Sequence, residues 1–405
     1  MTERTVIVGA GHGGTTAAVE LRARGYEGEV VLLSDEPVEP YERPPLSKDW
    51  LTRADGARDP LHGAAALAER GVDLRLGARA ARLDRAARMV HLEDGEAVPY
   101  THAILATGSL ARRLPLPGAE ADGVHGLRTA ADAAGLRDAL APGARLVVIG
   151  AGYIGLEVAA SARGRGAEVT VIELADRPMA RTASAPVSAF YRARHEAEGV
   201  RFVMPSGVAA IEAPGGRATG VRLTDGTVLP ADAVLIAAGG VPDTALAEAA
   251  GLATEGGVAT DEAGRTDDPS VFAIGDAARR PTPWADAPLR LESVHSALEM
   301  ARLAAAAITG TKPPALVAPW FWSDQYDLKL QIAGLVGAEA GTLIVREGGD
   351  ALSVFHVAGE RLLAVEAIND PRAYMTGRTA LTRGQAVDAA ILADPARDPK
   401  DALIR

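Results

Sequence analysis

The sequence contains no cysteine. Its absence excludes a disulfide framework, a thiolate metal site and a protein-bound iron–sulfur cluster. Aromatic residues make up only 4% of the chain, which suits packed helices and tight strand-to-helix turns better than an aromatic-rich β sandwich. Positive charge is short as well: 42 Lys and Arg against 53 Asp and Glu leave a formal net charge of -11. No basic run offsets it locally, which argues against a nucleic-acid partner. Long apolar runs are missing too, since nothing approaches the roughly eighteen uninterrupted apolar residues of a membrane span. A strand pattern starts by Thr5 with no signal or transit segment ahead of it, so the expected location is the cytoplasm, with no membrane partner.

What the chain does have is length and glycine. At 405 residues, 48% of them hydrophobic, it can build two or three cores, and an α/β architecture is favoured. Thr5-Val6-Ile7-Val8 reads as a buried strand and runs into Gly9-Ala10-Gly11-His12-Gly13-Gly14, followed by a helical stretch from Thr15 to Arg24. In this pattern Gly9 permits the tight turn, Gly11 lets the backbone approach a pyrophosphate, and Gly14 lets the helix pack close to its strand. A second strand, Val30-Val31-Leu32-Leu33, delivers Asp35 and Glu36 at the distance where an acid grips ribose hydroxyls.

The arrangement then recurs. Arg145-Leu146-Val147-Val148-Ile149 leads into Gly150-Ala151-Gly152-Tyr153-Ile154-Gly155, a helix, and a strand Val169-Thr170-Val171-Ile172 ending at Glu173. Two fingerprints imply two dinucleotides, because each unit holds one pyrophosphate on one helix N-terminus. Glu173 suits the ribose diol of NADH and repels the extra phosphate of NADPH, while Arg177 and Arg181 nearby pull the other way. Two further apolar strands end in glycine, at Ala106-Thr107-Gly108 and at Ala237-Ala238-Gly239-Gly240. Each is expected to close one module and return the chain to the other, with its terminal backbone near the nucleotide.

The remaining motifs are Arg43-Pro44-Pro45-Leu46-Ser47-Lys48, Gly152-Tyr153-Ile154-Gly155-Leu156-Glu157, Ala185-Pro186-Val187-Ser188-Ala189-Phe190-Tyr191, Ala273-Ile274-Gly275-Asp276 and Trp320-Phe321-Trp322-Ser323-Asp324-Gln325-Tyr326. With these, nearly the whole chain resembles the FAD- and NADH-dependent ferredoxin reductases of bacterial oxygenase systems. The resemblance places Gly13, Asp35, Lys48, Ala80, Arg128, Asp276 and Val294 around FAD, with Arg43 and Gly275 in the motifs that carry it. Lys48 is implied beside the flavin N5 edge and the helix start at Val294 beside its pyrimidine edge, where both stabilise negative charge on the reduced ring. Asp276 is implied to accept from the ribityl hydroxyls, and Arg128 suits the pyrophosphate. Glu157 is implied to face Lys48 across flavin and nicotinamide, where an ion pair fixes Lys48 and helps seat the nicotinamide, and Trp322 to lie against the isoalloxazine. His12 and His295 receive no proton-transfer role.

The implied fold is two Rossmann-like domains of the glutathione-reductase type with a smaller C-terminal α/β domain. FAD is expected on residues 1–112 with 243–315, NADH on 113–242, and a separate domain from 316 to 405. The implied reaction passes hydride from NADH to FAD and then single electrons to a [2Fe–2S] ferredoxin serving a cytochrome P450 or a Rieske oxygenase. No metal site is expected. Related folds that reduce disulfides need a redox-active thiol, which this chain lacks. Two other readings stay open: an NADH oxidase, and a redox-sensing interaction protein resembling apoptosis-inducing factor. Arg302 is the first candidate for docking an acidic ferredoxin, with Lys329 and Arg290 behind it.

Overall fold

A computed structural model describes residues 3–53, 59–337 and 341–404. The chain divides into two compact units. The first comprises Met1–Glu42, Arg58–Leu110 and Val241–Val317, and the second Arg43–Ala57, Ala111–Gly240 and Ala318–Arg405.

The first unit is built on a five-stranded parallel sheet in the order Val271–Ala273, His102–Leu105, Arg4–Val8, Glu29–Leu33, Val72–Arg75. Parallel strands carry their connecting helices on the sheet faces, so their sequences are apolar throughout. Val6, Ile7, Leu32, Leu33, Ala103 and Ile104 are accordingly buried. Helix His12–Ala23 follows the first strand and helix Val294–Thr309 packs beside it. Their contact is made by small residues, Ala17 and Ala18 on one and Ala301, Ala304 and Ala305 on the other, all in the core of this unit. Short side chains permit that close approach.

The second unit repeats the plan. Its parallel sheet runs Arg201–Val203, Glu168–Ile172, Arg145–Ile149, Ala233–Ile236, Val124–His125. Equivalent backbone bonds close the two glycine turns: Gly9 N donates to Leu33 O at 2.9 Å, and Gly150 N to Ile172 O at 2.8 Å. The two modules are thus one local solution used twice. The expected α/β class with two Rossmann-like folds is what the topology shows.

The C-terminal part of this unit is a five-stranded antiparallel sheet, in the order Trp320–Gln325, Leu328–Gly334, Arg361–Ile368, Ala351–Ala358, Thr342–Gly348. Helix Pro371–Arg383 lies across it. Gly377 makes the fit: a Cβ there would stand 2.4 Å from Val365 Cγ1. Among the described residues no helix is long and apolar enough to cross a membrane. Because the sheet behind Gly377 cannot retreat, Gly377→Ala should lower stability by about 1–3 kcal/mol. Chemical denaturation checks this, and a midpoint equal to that of the parent protein would show that the helix can lift off its sheet.

Candidate functional site

In both modules the glycines separate into those demanded by packing and those that leave room. Gly9 has φ +106°, and a Cβ on it would lie 2.3 Å from Ala106 O. A Cβ on Gly14 would meet Gly9 O at 1.8 Å. Gly150 (φ +108°) and Gly155 stand in the same relation to Ala237 O and Gly150 O, at 2.5 and 2.2 Å. Gly152 differs, since nothing lies within 4 Å of a Cβ there. Packing does not require that glycine, so the open space suits a ligand that approaches the backbone closely. Helices His12–Ala23 and Tyr153–Gly164 begin at Gly11 and Gly152 with no side-chain cap. Their first amides are therefore left for an anion, and the residues present fit a pyrophosphate in each module.

In the first unit, Asp35 is exposed at the end of its strand. Its neighbour Glu36 instead accepts from Tyr41 Oη at 2.6 Å. Ala80 opens the strand Ala80–Asp84 and packs against the core. Ala106 N donates to Val8 O at 2.8 Å, Thr107 Oγ1 donates to Asp243 O at 2.6 Å, and Gly108 has φ +75°. Gly275 has φ +68°, and Asp276 Oδ2 accepts from Ser109 Oγ at 3.1 Å. Val294 starts its helix, which Ser293 Oγ caps by accepting from Ser296 N at 3.1 Å. Behind that turn sequence reasoning missed a buried ion pair, Arg280 with Glu299, with His295 Nε2 4.0 Å from Glu299 Oε1. His12 Nε2 is 2.6 Å from Glu42 Oε2.

Several of the remaining candidates gather in the second unit. Glu157 is 6% exposed. Burying a carboxylate costs several kcal/mol unless cations and donors replace the lost water. Three side chains do so. Lys48 Nζ lies 2.7 Å from Oε2, Ser47 Oγ donates to Oε2 at 2.5 Å, and Ser323 Oγ donates to Oε1 at 2.6 Å. Lys48 also donates to Pro44 O at 3.1 Å, so the Arg43-Pro44-Pro45 turn aims the ammonium.

Side chains alternate across a strand, and Trp320–Gln325 uses this. Phe321 meets the Tyr153 ring at 4.6 Å between centroids, Ser323 meets Glu157, and Gln325 meets His195 at 2.8 Å. Trp322 faces the other way and lies 5.5 Å from Trp320. Tyr153 Oη donates to Thr182 O at 3.0 Å, and burial raises its phenol pKa. Sequence reasoning named Lys48 and Glu157 but gave no role to Ser47, Ser323 or Gln325. Their signal was only that they lie inside the two quoted motifs.

Glu173 holds the loop above the second module, accepting from Ala151 N at 2.7 Å and Ala175 N at 2.9 Å. Leu174 beside it is 77% exposed. Arg177 is committed to structure: it donates to Ala183 O, Ala180 O and Ser188 Oγ. Arg43 Nη1 donates to Arg128 O at 2.8 Å, and Arg128 N in turn donates to Asp132 Oδ2 at 2.9 Å. Gly239 has φ +94°, Gly240 opens a short strand, and Ile154 is 48% exposed on the second glycine loop.

The docking candidates are less free than their sequence suggests. Arg302 Nε is 3.2 Å from Glu20 Oε1, and Arg24 shares that carboxylate. Arg290 pairs with Glu292. Lys329 is exposed. Among the described residues no group of three or more His, Asp or Glu could hold a metal ion.

Two dinucleotide modules, uncapped helix starts and a lysine paired with a buried glutamate define a protein of the two-nucleotide oxidoreductase class. The chain belongs to the pyridine nucleotide-disulphide oxidoreductase family, matched over residues 3–301, with a reductase C-terminal domain over residues 320–403. It is 45% identical to rhodocoxin reductase of Rhodococcus erythropolis, covering 99% of this chain and 94% of that protein. The covalent putidaredoxin reductase–putidaredoxin complex superposes with a TM-score of 0.93 at 38% identity, covering 97% of this chain and 96% of the other. The ferredoxin reductase for the CYP199A2 system of Rhodopseudomonas palustris gives 0.95 at 37%, covering 99% and 100%.

One consequence concerns acid. Burial lowers the His195 pKa to about 4, against about 6.5 in an unfolded chain. Between those values the unfolded chain binds a proton that the folded chain does not, so stability falls as pH drops through that window. Urea denaturation at pH 7 and at pH 5 should differ by about 2 kcal/mol more in the parent protein than in His195→Gln. An equal difference in both would show that His195 titrates normally.

Proposed function

We propose that this chain is a flavoprotein reductase of the cytoplasm that takes hydride from NADH onto FAD and delivers electrons singly to a [2Fe–2S] ferredoxin serving an oxygenase such as a cytochrome P450. The observation that carries this reading is the pairing of the buried Glu157 with the part-buried Lys48 in a chain without cysteine. Disulfide chemistry needs a thiol, so electrons must leave for an external acceptor. The relatives' names supply its class, since they are reductases of rhodocoxin and putidaredoxin.

When bound, FAD accepts two electrons as hydride and releases them one at a time. Residues 1–112 with 243–315 are assigned to FAD, 113–242 to NADH, and 316–405 to a third domain. Gly9, Gly11, Gly13 and Gly14 receive the FAD pyrophosphate, with Arg128 as its cation and Arg43 beside it on the Arg128 carbonyl, and Asp35 accepts from the ribose. Ala80, the backbone of Ala106, Thr107 and Gly108, and Gly275 line the nucleotide. Asp276 accepts from the ribityl chain, the amides at Val294 face the pyrimidine edge, and Trp322 covers the ring. Lys48 is assigned to the N5 edge, where its charge stabilises the reduced ring, and Glu157 holds Lys48 and seats the nicotinamide.

For NADH, Gly150, Gly152 and Gly155 with Tyr153 and Ile154 form the cradle, Gly239 and Gly240 border it, and Leu174 offers the adenine an apolar face. Glu173 accepts from the ribose diol and repels a 2′-phosphate. The internal bonds of Arg177 support the preference, because they leave its guanidinium no fork for a phosphate.

The test mixes the holoenzyme with NADH or NADPH, a [2Fe–2S] ferredoxin and cytochrome c. Cytochrome reduction should require both NADH and ferredoxin; rapid NADH consumption by oxygen alone, indifferent to ferredoxin, would favour an oxidase. Lys48→Met should slow flavin reduction on the order of 100-fold, and an unchanged rate would remove Lys48 from the mechanism. Arg302→Glu should raise the KM for ferredoxin and leave ferricyanide reduction intact, whereas unmoved ferredoxin kinetics would exclude Arg302 from docking.

A further inference from the structure

An unbroken line of hydrogen bonds runs through the second unit from Glu157 to Tyr326. Ser323 Oγ donates to Glu157 Oε1 at 2.6 Å, and Gln325 Nε2 donates to Ser323 Oγ at 3.1 Å. Gln325 Oε1 lies 2.8 Å from His195 Nε2, and Tyr326 Oη lies 3.2 Å from His195 Nδ1. Ser323, Gln325 and His195 are 0%, 1% and 0% exposed, so water does not interrupt the line.

Each member has a fixed supply of protons. A serine hydroxyl has one, an amide oxygen only accepts, and a neutral imidazole carries a single N–H. Ser323 can therefore give its proton to Glu157 or to Gln325, but not to both. If Gln325 turned its oxygen toward Ser323, Glu157 would lose a donor. His195 opposes that turn. Its Nε2 must carry the hydrogen to meet Gln325 Oε1, which requires Nδ1 to accept, and Tyr326 O–H supplies that bond.

A second ordering exists with each bond from Ser323 outward reversed, and in it the Ser323 proton points away from Glu157. A hydrogen bond to an ionised acceptor is stronger than one between neutral groups, so the ordering that serves Glu157 prevails. Burial keeps the imidazole neutral, as the line requires. His195 sits near the end of helix Ala185–Ala197, whose Ala185-Pro186-Val187 start is one of the sequence motifs that no nucleotide role explains.

We propose that His195 and Gln325 are positioning residues for hydride transfer: acting through Ser323, they hold the Glu157 carboxylate in place with Oε1 satisfied, which leaves Oε2 for Lys48. This rests on the reading of Lys48 and Glu157 as the pair that serves flavin and nicotinamide. Tyr326 completes the line, its O–H supplying the bond that Nδ1 accepts in the favoured tautomer of the buried ring.

The test uses the full-length, FAD-loaded enzyme. His195→Leu keeps an apolar side chain of similar bulk but removes the N–H, whereas His195→Gln places an amide N–H near the position of Nε2. At saturating NADH, stopped-flow flavin reduction should slow roughly tenfold in His195→Leu and recover to within about threefold of the parent in His195→Gln. Nitrogen-15 NMR should find the His195 ring as the Nε2–H tautomer, with the preference lost in Tyr326→Phe. An Nδ1–H tautomer in the parent, parent-like speed in His195→Leu, or a His195→Gln rate no better than that of His195→Leu would each overturn the proposal. Glu157→Gln in the same assay separates the two levels. If it too leaves flavin reduction unchanged, the underlying reading of the site fails; if it slows reduction while His195→Leu does not, only the relay fails.

Discussion

A carboxylate withdrawn from water must be surrounded by replacements for the water it lost, and in the second unit Glu157 imposes that demand on three separate stretches of chain. Lys48 and Ser47 come from the excursion Arg43–Ala57, Glu157 from the second glycine-loop helix, and Ser323 from the first strand of the C-terminal sheet. A half-satisfied buried ion is worse than none, so these segments must be placed together or not at all. Ser161 Oγ donating to Ser47 O and Arg165 Nη1 donating to Leu51 O pin that excursion further along the same helix.

The two nucleotide modules solve a different problem with the same means. In each, a glycine with positive φ starts the turn and a second lets the helix fall onto it, because a Cβ at either would overlap a carbonyl oxygen. What distinguishes the modules lies at the strand ends. In the first, Asp35 stands exposed while Glu36 is held by Tyr41; in the second, Glu173 is drawn onto the amides of its own loop. The family takes its description from disulphide chemistry, yet a chain without cysteine cannot perform it. The chain has the two dinucleotide modules without any thiol, and a Lys–Glu pair stands as the charged element of the second module.

Charges that look alike in sequence were separated by their surroundings. Arg177 and Arg181 both follow Glu173 within one short stretch of chain, but Arg177 is tied up by three acceptors. Arg302 and Arg290 each have an acidic partner within their own unit, which a count of nearby residues in the chain does not reveal for Arg302, since Glu20 is 282 positions away. Glu299 and Arg280 would pass as solvated surface charges on a helix and a strand, yet they form a buried pair.

The sequence by itself determined the two strand–glycine–helix units, the acids that end their second strands, the apolar closing strands and the exclusion of thiol chemistry. These are local properties, set by backbone freedom at glycine, by the period of apolar residues and by composition. Only the tertiary structure decided which hydroxyls meet Glu157, that Gln325 and His195 continue the line to Tyr326, and which arginines are already engaged. The line from Glu157 depends on side chains 110 to 166 positions apart meeting in a dry interior, where the number of protons each group can donate, rather than its residue type alone, settles what it does.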